Sequence, residues 1–222
     1  MNILLMFEQS GTFKRLLQQA GHIATDADID NYFGQTDIQT DLFDDILSDR
    51  IEYKQYDLII AFFPCTWFSR QNDLLINGSS YSMRNWSEEK KRQYSLNRLA
   101  EREKAATVLK TLVTLCHCYD VPLIIENPAS DYIKSILGQP TIAHMRSQYG
   151  DDFQKITYWY LRGCKHDSSR LKKLTNSRHS TKHIEVHKHH SDKQRKIERS
   201  LISPVYAANL LHSIKVKGKY IL

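Results

Sequence analysis

The sequence predicts an α/β fold: a mostly parallel, doubly wound sheet with helices on both faces. Three observations predict it. Short apolar runs of strand length recur along the chain. Segments with helical spacing of apolar residues fall between them, as βαβ units require. Polar residues cluster directly after the apolar runs, at 8–12, 26–30, 63–69 and 126–128. That is where ligands bind in such sheets, beyond the carboxyl ends of the strands.

Asn2–Met6 is apolar and reads as the first strand. Thr12–Ala20 places Phe13, Leu16, Leu17 and Ala20 on one helical face, and Gly21 is a natural stop. Ile23–Ala27 reads as the second strand and runs into Asp26, Asp28 and Asp30. The stretch 57–62 (DLIIAF) has the character of a buried strand, ended by Pro64. Residues 70–86 are polar and carry Gly78, Ser79 and Ser80, which predicts a loop. Glu88–Tyr119 predicts a long helix, broken or bent in its middle. Its second half shows an apolar face of Ala105, Val108, Leu109, Leu112, Val113 and Cys116. Val121–Ile125 and Ile156–Leu161 predict further strands. The 165–200 stretch has no apolar period, and Pro204–Ile214 returns to helix through Val205, Ala208, Leu211 and Ile214. No internal repeat is visible.

The 222 residues suit one domain, 1–222, with a basic, His-rich insertion at about 165–199. Apolar residues make up 41% and charged residues 25%, as in ordinary globular chains. No apolar run approaches the roughly 20 residues of a membrane span. The N-terminus reads as a strand and not as a signal peptide, so no membrane partner and a cytoplasmic location are expected. Without a secretory signal, Cys65, Cys116, Cys118 and Cys164 are expected as thiols. Net charge is +6, and residues 165–199 hold 11 Lys and Arg against 4 Asp and Glu, with six of the ten histidines. A basic block on a near-neutral body suits a phosphate-bearing partner, and equally a solvated loop. Cys116-His117-Cys118, Cys164-x-His166 and the His179–His190 group do not have the spacing of a zinc module. No metal is expected.

Two segments carry chemistry. In 62–69 (FFPCTWFS), Cys65 follows a buried strand in a turn opened by Pro64, which suits a rigidly held nucleophile; a lone cysteine is more often inert core. In 125–128 (IENP), Glu126 ends a neighbouring strand at a pocket rim; alone it is as readily a surface acid beside an Asn-Pro turn. Taken in order, MFEQSGTFKRLLQQAGH, DADID, TDLF, YDLIIAFFPCTWFS, LIIENP and RSLISPVYAANLLHSI resemble the DNA cytosine-C5 methyltransferase family, most closely its compact phage- or mobile-element-type members. The resemblance covers roughly residues 1–70, 121–163 and 199–214.

The resemblance implies a Rossmann-like S-adenosylmethionine-dependent methyltransferase domain acting on double- or single-stranded DNA. It implies that Cys65 adds to C6 of cytosine and that Glu126 holds the N3 and amino edge of the base. Pro64 would fix the approach and Asn127 the turn. Phe7, Gln9, Ser10, Gly11 and Thr12 match the loop beneath the methionine moiety. Asp28, beside Ile29, matches the acid for the ribose hydroxyls. Asp41, beside Leu42, matches the acid for the adenine amino group, and Phe63 completes the cofactor set. Gln9 stands where the family's first glycine falls. Lys155 and Thr157 stand where a Gln-x-Arg-x-Arg strand falls, and Lys155 offers a charge without the two-pronged geometry of arginine. The family's large recognition domain is absent. Ser69 and the basic residues Lys172, Lys173, Arg178, Lys182 and Lys188 are the DNA-contacting candidates, a short set for base readout. Relaxed specificity or a specificity partner is expected. Two other functions fit the same residues: a methyltransferase for a nucleotide or RNA pyrimidine, and a silent module that binds cofactor or DNA without turnover.

Overall fold

The computed structural model describes residues 1–174 and 201–222. Its elements run β1 (Asn2–Met6), α1 (Thr12–Gln19), β2 (Ile23–Asp28), β3 (Ile38–Gln39), α2 (Leu42–Leu47), β4 (Leu58–Phe62), α3 (Arg70–Ile76), α4 (Glu88–Cys118), β5 (Leu123–Pro128), α5 (Asp131–Leu137), β6 (Ile142–Met145), β7 (Ile156–Arg162), β8 (Cys164–His166), α6 (Pro204–Leu211), β9 (Ile214–Val216) and β10 (Lys219–Tyr220).

Seven strands form one sheet in the order β3-β2-β1-β4-β5-β7-β6. The first five are mutually parallel, and β7 runs antiparallel to both β5 and β6. The order matches the doubly wound 3-2-1-4-5-6 pattern except that β7 is wedged, reversed, before β6. β8, β9 and β10 make a second, antiparallel sheet.

Side chains alternate across each strand, so one apolar run supplies two cores. Leu4 and Met6, Ile59 and Ala61, and Leu123 and Ile125 face α2 and α4, where they meet Leu42, Ile46, Val108, Leu109 and Leu112. Ile3 and Leu5, Leu58 and Ile60, and Ile124 face α1 and α6, where they meet Phe13, Leu17, Tyr206, Ala207 and Leu210.

The structure departs from the sequence reading in several places. The stretch 70–86 holds α3 and a 3-10 turn at Tyr81–Met83, not a loop alone. α4 is unbroken over 31 residues, about 46 Å. Its apolar face exists only in the second half. The first half is held by the Ser87 cap, whose Oγ accepts from the Lys90 amide at 3.3 Å, and by the Lys91–Glu88 and Arg92–Glu89 pairs. β5 extends through Glu126 and Asn127 to Pro128, because its antiparallel neighbour β7 carries the pairing to Thr157. α6 stops at Leu211, since Ile214 is drawn into β9 against His166 of β8. Lys165 and His166, the expected start of the insertion, therefore belong to a strand. The short elements α2, α5, β3, β6, β9 and β10 had no prediction.

All four cysteines carry thiols. Burial pushes Cys116, in the core, and Cys164 up to about 12. Among the described residues no group of three His, Cys, Asp or Glu could hold a metal ion, and no helix is long and apolar enough to cross a membrane.

Candidate active site

The carboxyl ends of β1, β4 and β5 open onto a cavity of about 550 Å³, a size typical of small-molecule sites. Seven separate segments line it: 7–10 after β1, Phe13 in α1, Asp30–Phe33 after β2, 62–66 at the end of β4, Glu126 in β5, Lys155 before β7, and Leu201 and Ile202 before α6. The parallel sheet gathers the loop ends of distant segments at one edge.

Cys65 sits three residues beyond Phe62, and Phe62 is in register with Glu126 of the adjacent strand. That pairing brings the Cys65 turn beside the Glu126 carboxylate. Two sets of bonds fix the turn. Asn127, fully buried, donates from Nδ2 to the Phe63 carbonyl at 2.9 Å, tying β5 to the residue before Pro64. The Cys65 carbonyl accepts from the Phe68 and Ser69 amides at 3.2 and 3.1 Å. Helices α3 and α4 add a clamp from behind. Buried Asn72 donates to the Trp67 carbonyl at 2.8 Å, and its own Oδ1 accepts from Arg98, whose guanidinium lies 4.5 Å from the centre of the Trp67 ring.

Glu126 is 7% exposed, and its Oε1 is buried with no hydrogen-bond partner among the described residues. Glu8, at 5% exposure, also lines the cavity. Its Oε1 accepts from the Ser10 hydroxyl at 2.5 Å and the Thr12 amide at 3.0 Å, while Oε2 is buried and unpartnered among the described residues. Burial raises its carboxyl above the ordinary range, and the bonds from Ser10 and Thr12 offset part of that rise.

The loop that carries Glu8 is tightly shaped. Phe7 has φ 62° and Gly11 φ 65°, both left-handed. A Cβ on Gly11 would also stand 3.0 Å from the Arg15 guanidinium and 3.3 Å from the Gln35 side chain, so any other residue there would be strained and crowded. The Phe7 ring lies edge-on to Phe63 at 5.2 Å and to Phe43 at 6.0 Å, which anchors the loop to β4 and α2.

Eight of the sequence-derived candidates line the cavity: Cys65, Pro64, Glu126, Lys155, Phe7, Gln9, Ser10 and Phe63. Asn127 acts behind it. Gly11 and Thr12 lie one step further along, buried at the start of α1. Asp28 is buried and bonded: its Oδ1 accepts from Gln9 Nε2 at 3.2 Å and from the Asp30 amide at 2.8 Å. Burial raises it, against the pull of those bonds.

Like Gly11, Thr12 and Asp28, three further cofactor candidates are not among the residues that line the cavity. Ile29 is 58% exposed, Leu42 is core, and Asp41 caps α2, accepting from the Phe43 amide at 2.9 Å. Ser69 is half-buried at the start of α3. Lys172 and Lys173 are exposed at the surface, where Asn209 pins the Lys172 backbone through both its N–H and its carbonyl. Arg178, Lys182 and Lys188 lie outside the described residues.

The sequence reading missed Glu8, Asn72 and Arg98. Only Glu8 had a sequence signal, its place in the polar cluster 8–12 after the first apolar run, and that signal did not tell of its burial. No protein-family model matches the chain, and no curated protein matches it.

Proposed function

We propose that the protein transfers a methyl group from S-adenosylmethionine to C5 of cytosine in DNA, with Cys65 as the nucleophile. The observation that carries this reading is the shared cavity: Cys65 and Glu126 line it together, on a turn held rigid by Asn127. C5 of cytosine is a poor nucleophile. In the proposed reaction the Cys65 thiolate forms a bond to C6, and the C5–C6 π electrons move onto C5. Glu126 hydrogen-bonds the N3 and amino edge and stabilises the charge that develops there. S-adenosylmethionine, when bound, supplies the electrophilic methyl group. The C5 proton then passes to water, its electron pair re-forms the C5–C6 double bond, and the S–C6 bond breaks to return the Cys65 thiolate.

The cavity lining fits such a cofactor. Phe7, Phe13, Phe33, Phe62 and Phe63 offer aromatic faces for a nucleoside. Glu8 and Asp30 supply negative charge near a cationic ligand. Lys155 lines the same cavity and supplies a positive charge for a base carbonyl or phosphate. The target base must leave the helical stack to enter. Lys172 and Lys173 supply surface charge for the DNA backbone.

One contact favours a second reading, a binding module without turnover. Gln9 Nε2 already holds the Asp28 carboxylate, the group expected to take the ribose.

The test is transfer of labelled methyl from S-adenosylmethionine to unmethylated double- and single-stranded DNA, with Cys65→Ala in parallel. Label recovered as 5-methylcytosine and lost in the variant is the expected result. Undiminished transfer by Cys65→Ala would sink the C6-addition mechanism. Cofactor binding with no label in either DNA would move the substrate to a nucleotide or RNA pyrimidine. No label and no cofactor binding would leave the silent module.

A further inference from the structure

We infer that Glu8 sets the cavity's ligand charge: its carboxylate closes the N-terminus of α1 to phosphate and presents its second oxygen to a cationic ligand group. The inference rests on the methyltransferase reading for the identity of that ligand, whose sulfonium and α-ammonium are the cations in question.

The N-terminus of the first helix in a doubly wound fold is ordinarily an anion site, where free backbone N–H groups meet a pyrophosphate. Here α1 begins at Thr12, and the Thr12 amide donates to Glu8 Oε1 at 3.0 Å and to Ser10 Oγ at 3.2 Å. The chain thus places a carboxylate of its own on the first amide of that terminus. A ligand phosphate there would meet a negative side chain and an amide already engaged.

The other oxygen points to the complementary preference. Glu8 is 5% exposed and lines the cavity, and its Oε2 has no partner among the described residues. Arg15 acts on Glu8 only through its charge, since its Nη1 is turned to the Ser10 carbonyl at 3.1 Å. Asp26, itself paired with Lys14, adds a smaller repulsion. A buried carboxylate oxygen without a donor is costly. A positively charged ligand group relieves that cost by a charge-assisted contact, and a neutral one does so less.

The experiment is calorimetric titration of the full chain and of Glu8→Gln with S-adenosylmethionine, with the neutral 5′-methylthioadenosine, and with adenosine and ADP. Glu8→Gln is near isosteric and keeps an oxygen for the Thr12 amide. It should weaken S-adenosylmethionine by about tenfold or more while moving 5′-methylthioadenosine by no more than about twofold. If Glu8→Gln fails to fold, the wild-type chain decides alone: ADP should bind about tenfold or more weaker than adenosine, the cost of placing phosphate against Glu8. ADP binding as tightly as adenosine, or equal S-adenosylmethionine affinity in a folded Glu8→Gln, overturns the inference alone. Failure of the wild-type chain to bind S-adenosylmethionine overturns the methyltransferase reading and this ligand with it.

Discussion

At the antiparallel end of the sheet, Asp151 is buried against a cation. Its Oδ2 accepts from Arg146 Nε at 2.8 Å and Nη2 at 2.5 Å, with side-chain exposures of 0% and 1%. The same guanidinium donates to the Leu201 carbonyl at 2.6 Å, fastening the entry to α6. Asp26 is treated alike on the other flank, with Lys14 Nζ at 2.9 Å. At the cavity between these flanks, Glu8 and Glu126 are just as buried, yet neither has an ion-pair partner among the described residues. The flanking acids are joints of the scaffold. The cavity acids lack a cation partner among the described residues, and a buried acid without one is where a ligand gains most. The contrast separates architecture from site without reference to any relative.

The strongest way to break that contrast is to remove a scaffold cation. Arg146→Met should destabilise the fold by about 3–5 kcal/mol, because it strands the Asp151 carboxylate in the interior. Urea unfolding at pH 7 measures this. A loss below about 1 kcal/mol would mean that Asp151 relaxes to solvent, and the two kinds of acid would no longer differ. Glu126→Gln tests the other side. It should slow methyl transfer on the order of 10²–10³-fold, since the donor pattern toward the base edge changes where charge develops, while the unfolding midpoint does not fall. A fall in stability matching that of Arg146→Met would place Glu126 with the scaffold.

The scaffold end also carries a titration. Trp159 Nε1 donates to the Tyr206 hydroxyl at 2.8 Å, and that hydroxyl lies 2.8 Å from His144 Nε2. Burial, with His166 and Arg146 nearby, pushes His144 down to about 4. The neutral ring can therefore accept the Tyr206 proton. A depressed histidine favours folding while it is neutral. Its contribution is present above about pH 6.5 and is lost as pH falls from 6.5 toward 4. His144→Asn should flatten the pH dependence of stability in that window by about 1–2 kcal/mol, after discounting for partial exposure. An unchanged slope would show that the ring is already solvated.

Much of this was legible in the sequence, for reasons that particular residues make plain. The runs 2–6 and 58–62 are apolar throughout because both faces of those strands are covered, so they announce buried strands. Cys65 and Glu126 stand out because chemistry-bearing residues follow such runs. Strand direction leaves no such trace. Ile156–Arg162 reads as a strand either way, and only pairing reveals that β7 is reversed and holds Glu126 inside β5. α3 was hidden because its residues are mostly polar and its anchors, Asn72 and Asp73, are residues that usually mark loops. Asp41 matches an acid for adenine by resemblance, and the structure adds that it caps α2, a role any aspartate ahead of a short helix can take. Glu8 was illegible as a buried acid, since nothing local distinguishes it from a solvated one.

The smallest effect gives the sharpest comparison, because its sign is opposite to that at the flanks. Ionised Glu8 is held without a cation, so burial raises its carboxyl and the charged form opposes folding. A raised carboxyl favours folding while it is protonated, and that favour is lost as pH rises through its folded value. At neutral pH the ionised group is therefore a net cost. Glu8→Gln should raise the melting temperature at pH 7–8 by about 2–4 °C, equivalent to ~1 kcal/mol in a chain of this size. The gain should shrink toward pH 4, where the wild-type carboxyl is itself neutral. A melting curve at two pH values checks both statements. Asp151→Asn, with its cation left unpaired, should lower the same melting temperature at neutral pH. If both substitutions shift it downward, Glu8 is a structural acid like Asp151, and the cavity loses its claim to a cation.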